Sequence, residues 1–235
     1  GVPAGKKANL LIVPTETAKN SILEYENFDA NKMKVVWEAA KSFHQPRIGP
    51  RPFEAPYFLH VGVLEKRKNI VRLVEAFAQL HAVYPNYKLV LVGNTPVKLQ
   101  LNDAPAIEQA IMDFGLQDAV VRLGYLEADA LATIYSHAFA YCLPSLNEGF
   151  GLPVLEAFHF KLPLICANTS ALPEVAGDAA LFVDPYNSNS IAAAMIDLVE
   201  SPSLVNQLVE KGQARQLHFS WSKAAQEIHD LMKGC

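Results

Sequence analysis

From Tyr57 onward the chain alternates short apolar runs with amphipathic segments, and that alternation leaves few folds open to it. "YFLHVGV" (57–63), "KLVLVG" (88–93), "AVVRLG" (119–124), "FAYCLP" (139–144), "PLICAN" (163–168) and "ALFVD" (180–184) are near-continuous in apolar character. A strand wet on one face alternates apolar and polar residues. One that is apolar throughout is covered on both faces, as in parallel sheets flanked by helices. Between these runs, residues 69–84 carry Ile70, Leu73, Val74, Phe77, Leu80 and Tyr84 at helical spacing, with Asn69 as the expected cap. Further helices are expected at about 105–114, 128–137 and 153–161. Right-handed crossovers between parallel strands give an α/β, doubly wound, Rossmann-like domain over residues 57–200, with its ligand beyond the carboxyl ends of the strands. Three consecutive helices are expected from Ser190 to Lys233, the last capped by Ser220 and anchored by Trp221.

The segment 46–56 holds Pro46, Pro50, Pro52 and Pro56 and reads as a linker. Before it, residues 1–45 suggest a strand at Leu10 to Val13, a helix capped by Thr15 or Thr17, and a second strand near Val35 to Trp37. A chain of 235 residues, 51% hydrophobic and 19% charged, is long enough to bury a large core. Its net charge of −4 is spread without a basic block, which argues against a nucleic-acid partner. Cys142 and Cys166 lie in apolar runs and, with Cys235, form no spaced pair, so a reducing, cytoplasmic setting is expected. No apolar run is long enough to span a bilayer. The chain does not begin with Met, and a fragment or processed piece is expected.

"NEGFGLPVLE" (147–156) follows the fourth strand and opens a helix, with Pro153 suited to the first turn. The backbone amides of Gly149, Phe150, Gly151 and Leu152 can face the ligand edge, where the helix dipole adds partial positive charge. Glu148 and Glu156 flank them, and a carboxylate can accept both protons of a vicinal diol. Amides for a diphosphate between acids for diols describe a nucleotide-sugar site. Taken alone, Glu156 also reads as an acid favoured by a helix start, and Glu148 as a solvated loop residue. A second cluster, "HVGVLEKRKNI", ends a strand at Gly62 and sets Lys66, Arg67 and Lys68 before the next helix. The alternative for that cluster is a solvated basic turn.

"VGVLEKRKNIVRLVEAFAQL", "VRLGYL", "YCLPSLNEGFGLPVLEAF" and "SALPEVAGDAALFVDP" resemble the donor-binding half of retaining glycosyltransferases of family 4, which have the two-domain GT-B fold. The resemblance runs from about Tyr57 to the C terminus, and "ANLLIVPTETAKNSI" is similar to the end of that family's N-terminal half. It implies that Glu148 holds donor-sugar hydroxyls and Glu156 the ribose. It implies that Lys68 binds the diphosphate with the amides of Gly151 and Leu152. Tyr125 and Leu126 would lie against the base, and Ser170 to Glu174 along the sugar. Val63 departs from the arginine many members carry after Gly62, and Arg67 is the expected substitute. The resemblance further implies a hexosyltransferase moving mannose or glucose from a nucleoside-diphosphate sugar, with Lys68 and Glu148 as its catalytic residues. The acceptor would be a glycan or lipid-linked hydroxyl, held by a missing N-terminal half or a separate chain. That absent half would make any peripheral contact with the cytoplasmic face of a membrane. Residues 1–45 would be the remnant of the acceptor domain, and residues 201–235 helices packing back toward it.

No cofactor is expected, the nucleotide sugar being a substrate, and no metal. Glu127-Ala128-Asp129 comes nearest to an acidic metal motif and reads better as a helix cap. His60 reads as a satisfied core histidine, His81 as peripheral, and His159, Phe158 and Phe160 as packing residues. Two rival functions remain open to such a sequence. One is a nucleotide-sugar epimerase, which would release free epimer without acceptor. The other is a non-enzymatic nucleotide-sugar-binding subunit, against which intact Lys68, Glu148 and Glu156 speak.

Overall fold

A computed structural model describes residues 8–40 and 47–233. Cys235, the first seven residues of the N-terminal segment and the start of the linker, through Pro46, lie outside the described residues. The strands fall inside the expected runs: β3 (Tyr57–Val61), β4 (Lys88–Val92), β5 (Val120–Leu123), β6 (Ala140–Leu143), β7 (Leu164–Ala167) and β8 (Leu181–Val183). They form one parallel sheet in the order β5-β4-β3-β6-β7-β8. The chain moves outward from β3 to the β5 edge, then returns to β6 on the other side of β3. The strand order therefore reverses between β3 and β6, the place where a doubly wound sheet opens a crevice.

The apolar character of the strands on both faces has its cause in two cores. Phe58, Leu89, Leu91, Cys142 and Ile165 point to one side, against α2 (Ile70–Val83), α3 (Ala104–Asp113) and α7 (Ser188–Glu200). Tyr57, Leu59, Val90, Tyr141, Leu143 and Leu164 point to the other, against α4 (Ala128–His137), α5 (Leu152–His159) and α6 (Leu172–Ala176). α8 (Pro202–Gln216) and α9 (Trp221–Lys233) complete the expected helical tail. Cys142 and Cys166 are free and buried, and burial pushes both thiols upward.

The N-terminal segment forms a separate two-stranded parallel sheet from β1 (Leu11–Val13) and β2 (Met33–Val35), joined by α1 (Glu16–Tyr25). Of the two candidate caps, Thr15 is the one used: its hydroxyl accepts from the Ala18 amide. Residues 47–56 carry no regular element, as Pro50, Pro52 and Pro56 in that stretch of chain dictate.

Three local expectations are corrected. Asn69 sits at the start of α2 but makes no side-chain cap. It takes a left-handed backbone, and its amide nitrogen donates to the carbonyls of Pro144 and Pro185, tying the β3 loop to the loops after β6 and β8. Glu127 precedes α4 without a side-chain cap bond, and Asp129 instead accepts from the Arg47 amide. Trp221 is 54% exposed, so it is no buried anchor. Phe219 packs there at 8%, and Trp221 donates its indole proton to the Ala40 carbonyl. Ser220 does cap α9 weakly, accepting from Lys223 at 3.4 Å.

Candidate functional site

The loops after β3 and β6 face each other across the reversal point. After β3 the chain runs from Gly62 into a single 3-10 turn, Lys66–Lys68. At Gly62 the chain is pressed against the end of β4: a Cβ on Gly93, whose φ is 140°, would lie 2.0 Å from the Gly62 carbonyl oxygen. After β6 the chain runs through Pro144 and Ser145 to Glu148, then turns at Gly151 into α5. Gly151 has φ 102° and Leu172 lies where a Cβ would stand, so this turn requires glycine.

The two loops meet through charge. Lys68 Nζ lies 2.7 Å from Glu148 Oε1, and Arg67 Nη1 lies 2.7 Å from Glu148 Oε2. Arg67 Nε also pairs with Glu65 at 2.6 Å. The Lys68 and Glu148 side chains are only 8% and 9% exposed, so Glu148 is not a solvated loop acid and Lys68 is not part of a solvated turn. Burial by itself would raise the Glu148 carboxyl. The ammonium of Lys68, with its hydrogen bond, and the Arg67 guanidinium outweigh that and hold it below the usual carboxylate range. The Glu148 amide is fixed by donating to Ser170 Oγ.

Above this pair lies an open cleft of about 650 Å³, lined by Arg67, Asn147, Glu148, Gly149 and Ser170 on one side and by Thr17, Ala18, Ser21 and Ile22 of α1 on the other. α1 is held there by two contacts that the sequence did not suggest. Thr15 Oγ1 donates to the Gly149 carbonyl. Glu174 accepts from the Glu16 and Thr17 amides, the Thr17 hydroxyl and the Trp37 indole. Glu174 therefore grips the N-terminal segment and does not face the cleft, unlike Ser170.

The remaining expected site residues divide. Leu152 is exposed at the first turn of α5. Phe150 contributes main chain alone, because its ring is buried edge-on against Phe219. Glu156 lies one turn further along α5, half-buried, with Tyr135 donating to its Oε2 at 2.7 Å. Tyr125 is 69% exposed and Leu126 half-buried in the loop after β5. β5 is two strands away from the reversal point, and neither residue lines the cleft. His60 is fully buried on β3 with Nδ1 2.8 Å from the Cys142 carbonyl. Its Nε2 has no hydrogen-bond partner among the described residues, so it is half-satisfied. Burial pulls its pKa down to about 4, leaving it neutral. Among the described residues no cluster of three His, Cys, Asp or Glu side chains could hold a metal ion.

The sheet is a doubly wound α/β domain, a class that takes its ligands beyond the carboxyl ends of the strands at the reversal point, where Arg67, Lys68 and Glu148 stand. The comparisons narrow this. The family described as glycosyl transferases group 1 matches residues 43–215, and the chain belongs to that family. The O-antigen chain mannosyltransferase B of Escherichia coli is 28% identical over 237 residues, covering 96% of this chain and 61% of that protein. The O-antigen chain mannosyltransferase RfbU of Salmonella typhimurium is 28% identical over 204 residues, covering 86% and 54%. Among solved structures, sucrose-phosphate synthase from Thermosynechococcus elongatus superposes with a TM-score of 0.83 at 25% identity, over 98% of this chain and 59% of that one. HepE of Anabaena, in complex with UDP and glucose, gives 0.87 at 19% identity over 99% and 65%, a likeness of fold. The fold is that of the C-terminal half of GT-B glycosyltransferases. The chain thus spans between about half and three fifths of the length of these two curated relatives.

Proposed function

We propose that this chain is the donor half of a retaining hexosyltransferase that takes mannose or glucose from a nucleoside-diphosphate sugar. The observation that carries this is the buried Lys68–Glu148 pair, 2.7 Å apart at the reversal point of the sheet. The relatives named as mannosyltransferases and the neighbour solved with UDP and glucose support the substrate class.

In this reading the diphosphate lies at the amino end of α5, with the amides of Gly151 and Leu152 and the Lys68 ammonium around it, and Arg67 beside it. Glu148 turns from its cations to the sugar hydroxyls, and Glu156 receives the ribose diol. Tyr125 and Leu126 are assigned to the base. As the bond from the anomeric carbon to the phosphate oxygen breaks, negative charge gathers on the diphosphate, where these fixed donors stabilise it most. The acceptor oxygen bonds to the same face of that carbon, and its proton passes to the departing phosphate oxygen. No covalent nucleophile takes part.

We assign residues 1–45 to the end of an acceptor domain, 46–56 to the linker, 57–200 to the donor domain and 201–235 to helices returning toward the acceptor side. The rest of that acceptor domain, or a separate chain carrying it, would bring the glycan or lipid-linked hydroxyl. Two buried free thiols fit a cytoplasmic setting. The test is calorimetric titration with UDP-glucose and GDP-mannose, followed by proton NMR of the sugar transferred once the complete acceptor domain and its acceptor are supplied. Binding of one donor and a product of unchanged anomeric configuration are expected. A protein that binds neither donor, or that inverts the sugar, overturns the proposal.

A further inference from the structure

Glu156 lies among aromatic rings, and these have a use that the family resemblance does not assign. α4 delivers Tyr135 to the side of α5, and its hydroxyl donates to Glu156 Oε2 at 2.7 Å. The Tyr135 ring is stacked on Phe160 (centroids 4.9 Å apart, planes 9° apart) and on Tyr141 (5.6 Å, 16°). Tyr141 is fixed in turn, because its hydroxyl accepts from the Val61 amide and donates to the Val61 carbonyl. The end of β3 and β6 thus brace the ring from α4 whose hydroxyl meets the carboxylate.

We propose that Tyr135 is the positioning residue for ribose recognition: its hydroxyl fixes the Glu156 carboxylate in the orientation that meets the vicinal diol of the nucleoside. This rests on the reading of Glu156 as the ribose acceptor. The Tyr135 ring is fully buried, so it does not touch the nucleotide and acts through Glu156. Burial, with the nearby carboxylate, raises the phenol well above its ordinary value, so it stays a donor throughout the working pH range. A carboxylate has about four acceptor positions. A neutral donor orients the oxygen it reaches without adding a charge, and its bond occupies only one of those positions. A cation in the same place would compete with the diol for the charge.

The test compares binding of UDP and GDP with that of their 2′,3′-dideoxy counterparts, in the wild-type protein, Tyr135→Phe and Glu156→Gln, with inorganic pyrophosphate as the control ligand. Tyr135→Phe keeps the ring stack and removes only the hydroxyl. The ribose-to-dideoxy affinity ratio should fall roughly three- to tenfold in Tyr135→Phe, the effect of one lost hydrogen bond. It should collapse toward one in Glu156→Gln, with pyrophosphate affinity unchanged in both. A merely structural tyrosine would lower all affinities together, and that result overturns the proposal. A ratio lost in Glu156→Gln but kept in Tyr135→Phe overturns the positioning role and leaves the ribose reading standing. A ratio near one already in the wild type overturns both. Should Tyr135→Phe fail to fold, 4-fluorophenylalanine at position 135 keeps the ring and fills the space of the hydroxyl but cannot donate a proton. The ratio must then fall, and a ratio equal to that of the wild type defeats the proposal.

Discussion

Glu148 and Glu156 sit eight residues apart on one loop–helix element, and side chains of different kinds reach them. Glu148 is gripped by charge: Lys68 and Arg67 each reach it at 2.7 Å, and its carboxyl is held below the usual range. Glu156 is held by the neutral phenol of Tyr135 within a stack of rings. The difference matches what each carboxylate would meet. An acid beside a dianionic leaving group must be compensated by cations, or it would repel the ligand. An acid that receives a diol needs a fixed direction and its full negative charge. In the proposed reading the same residue type serves two tasks according to what the neighbouring elements supply.

The contrast can be broken first at its charged end. Lys68→Ala removes the buried cation and leaves Glu148 with the exposed Arg67, and transfer by the protein with its complete acceptor domain should fall on the order of 10²- to 10³-fold in steady-state assays. A loss below tenfold would mean that Lys68 has no part in leaving-group stabilisation. At the neutral end, Glu156→Ala should weaken nucleotide binding by about 1.5–3 kcal/mol in calorimetry, with pyrophosphate binding little changed. Between the two acids, Gly151→Ala places a Cβ 2.7 Å from Leu172 at a positive φ. About 1–3 kcal/mol of stability should be lost in denaturant titration, because the turn that separates the acids must distort.

Acid pH sharpens the comparison. The folded pKa of Glu148 is depressed, so its pairing is fully present above the ordinary carboxylate value near 4.5 and is lost as pH falls below it. His60 is depressed to about 4, so the unfolded chain takes up a proton first. Stability should fall as pH drops from 6.5 toward 4, by at most about 1.4 kcal/mol per pH unit from this group. His60→Gln should flatten that limb of the curve and leave the carboxylate limb below it. The smallest effect is expected at Arg67→Gln. Its side chain is nearly half exposed, and stability should change by less than about 1 kcal/mol, with added salt narrowing the difference.

Much of this was legible in the sequence, for physical reasons that differ by element. The six strands of the main sheet were readable because a strand covered on both faces is apolar throughout. The α5 turn was readable because its glycines and Pro153 report backbone geometry directly. Contacts between elements were not readable. Tyr135 reaches Glu156 across 21 positions, and Glu174 reaches Glu16 across 158; neither spacing has a local signature. The motif also conceals which part of a residue faces the cleft: Phe150 lies within the glycine-rich turn, but its ring is in the core. At the C-terminal tail the larger aromatic was the wrong choice of anchor, because Phe219 lies inward at the bend before α9 while Trp221 starts the helix on its wet side. Asn69 has the composition of a helix cap, but the nearby prolyl carbonyls of Pro144 and Pro185 claim its side chain.

The central claim is that the Lys68–Glu148 crevice receives the diphosphate of a nucleotide sugar. Its most direct measurement is calorimetric titration of UDP and GDP into the wild-type protein and Lys68→Ala at two salt concentrations. The account predicts that the nucleotide bound by the wild type binds at least about tenfold more weakly to the variant, with a shallower salt dependence, since one buried charged partner of the phosphates is gone. Equal affinity and equal salt dependence in the two proteins would contradict it.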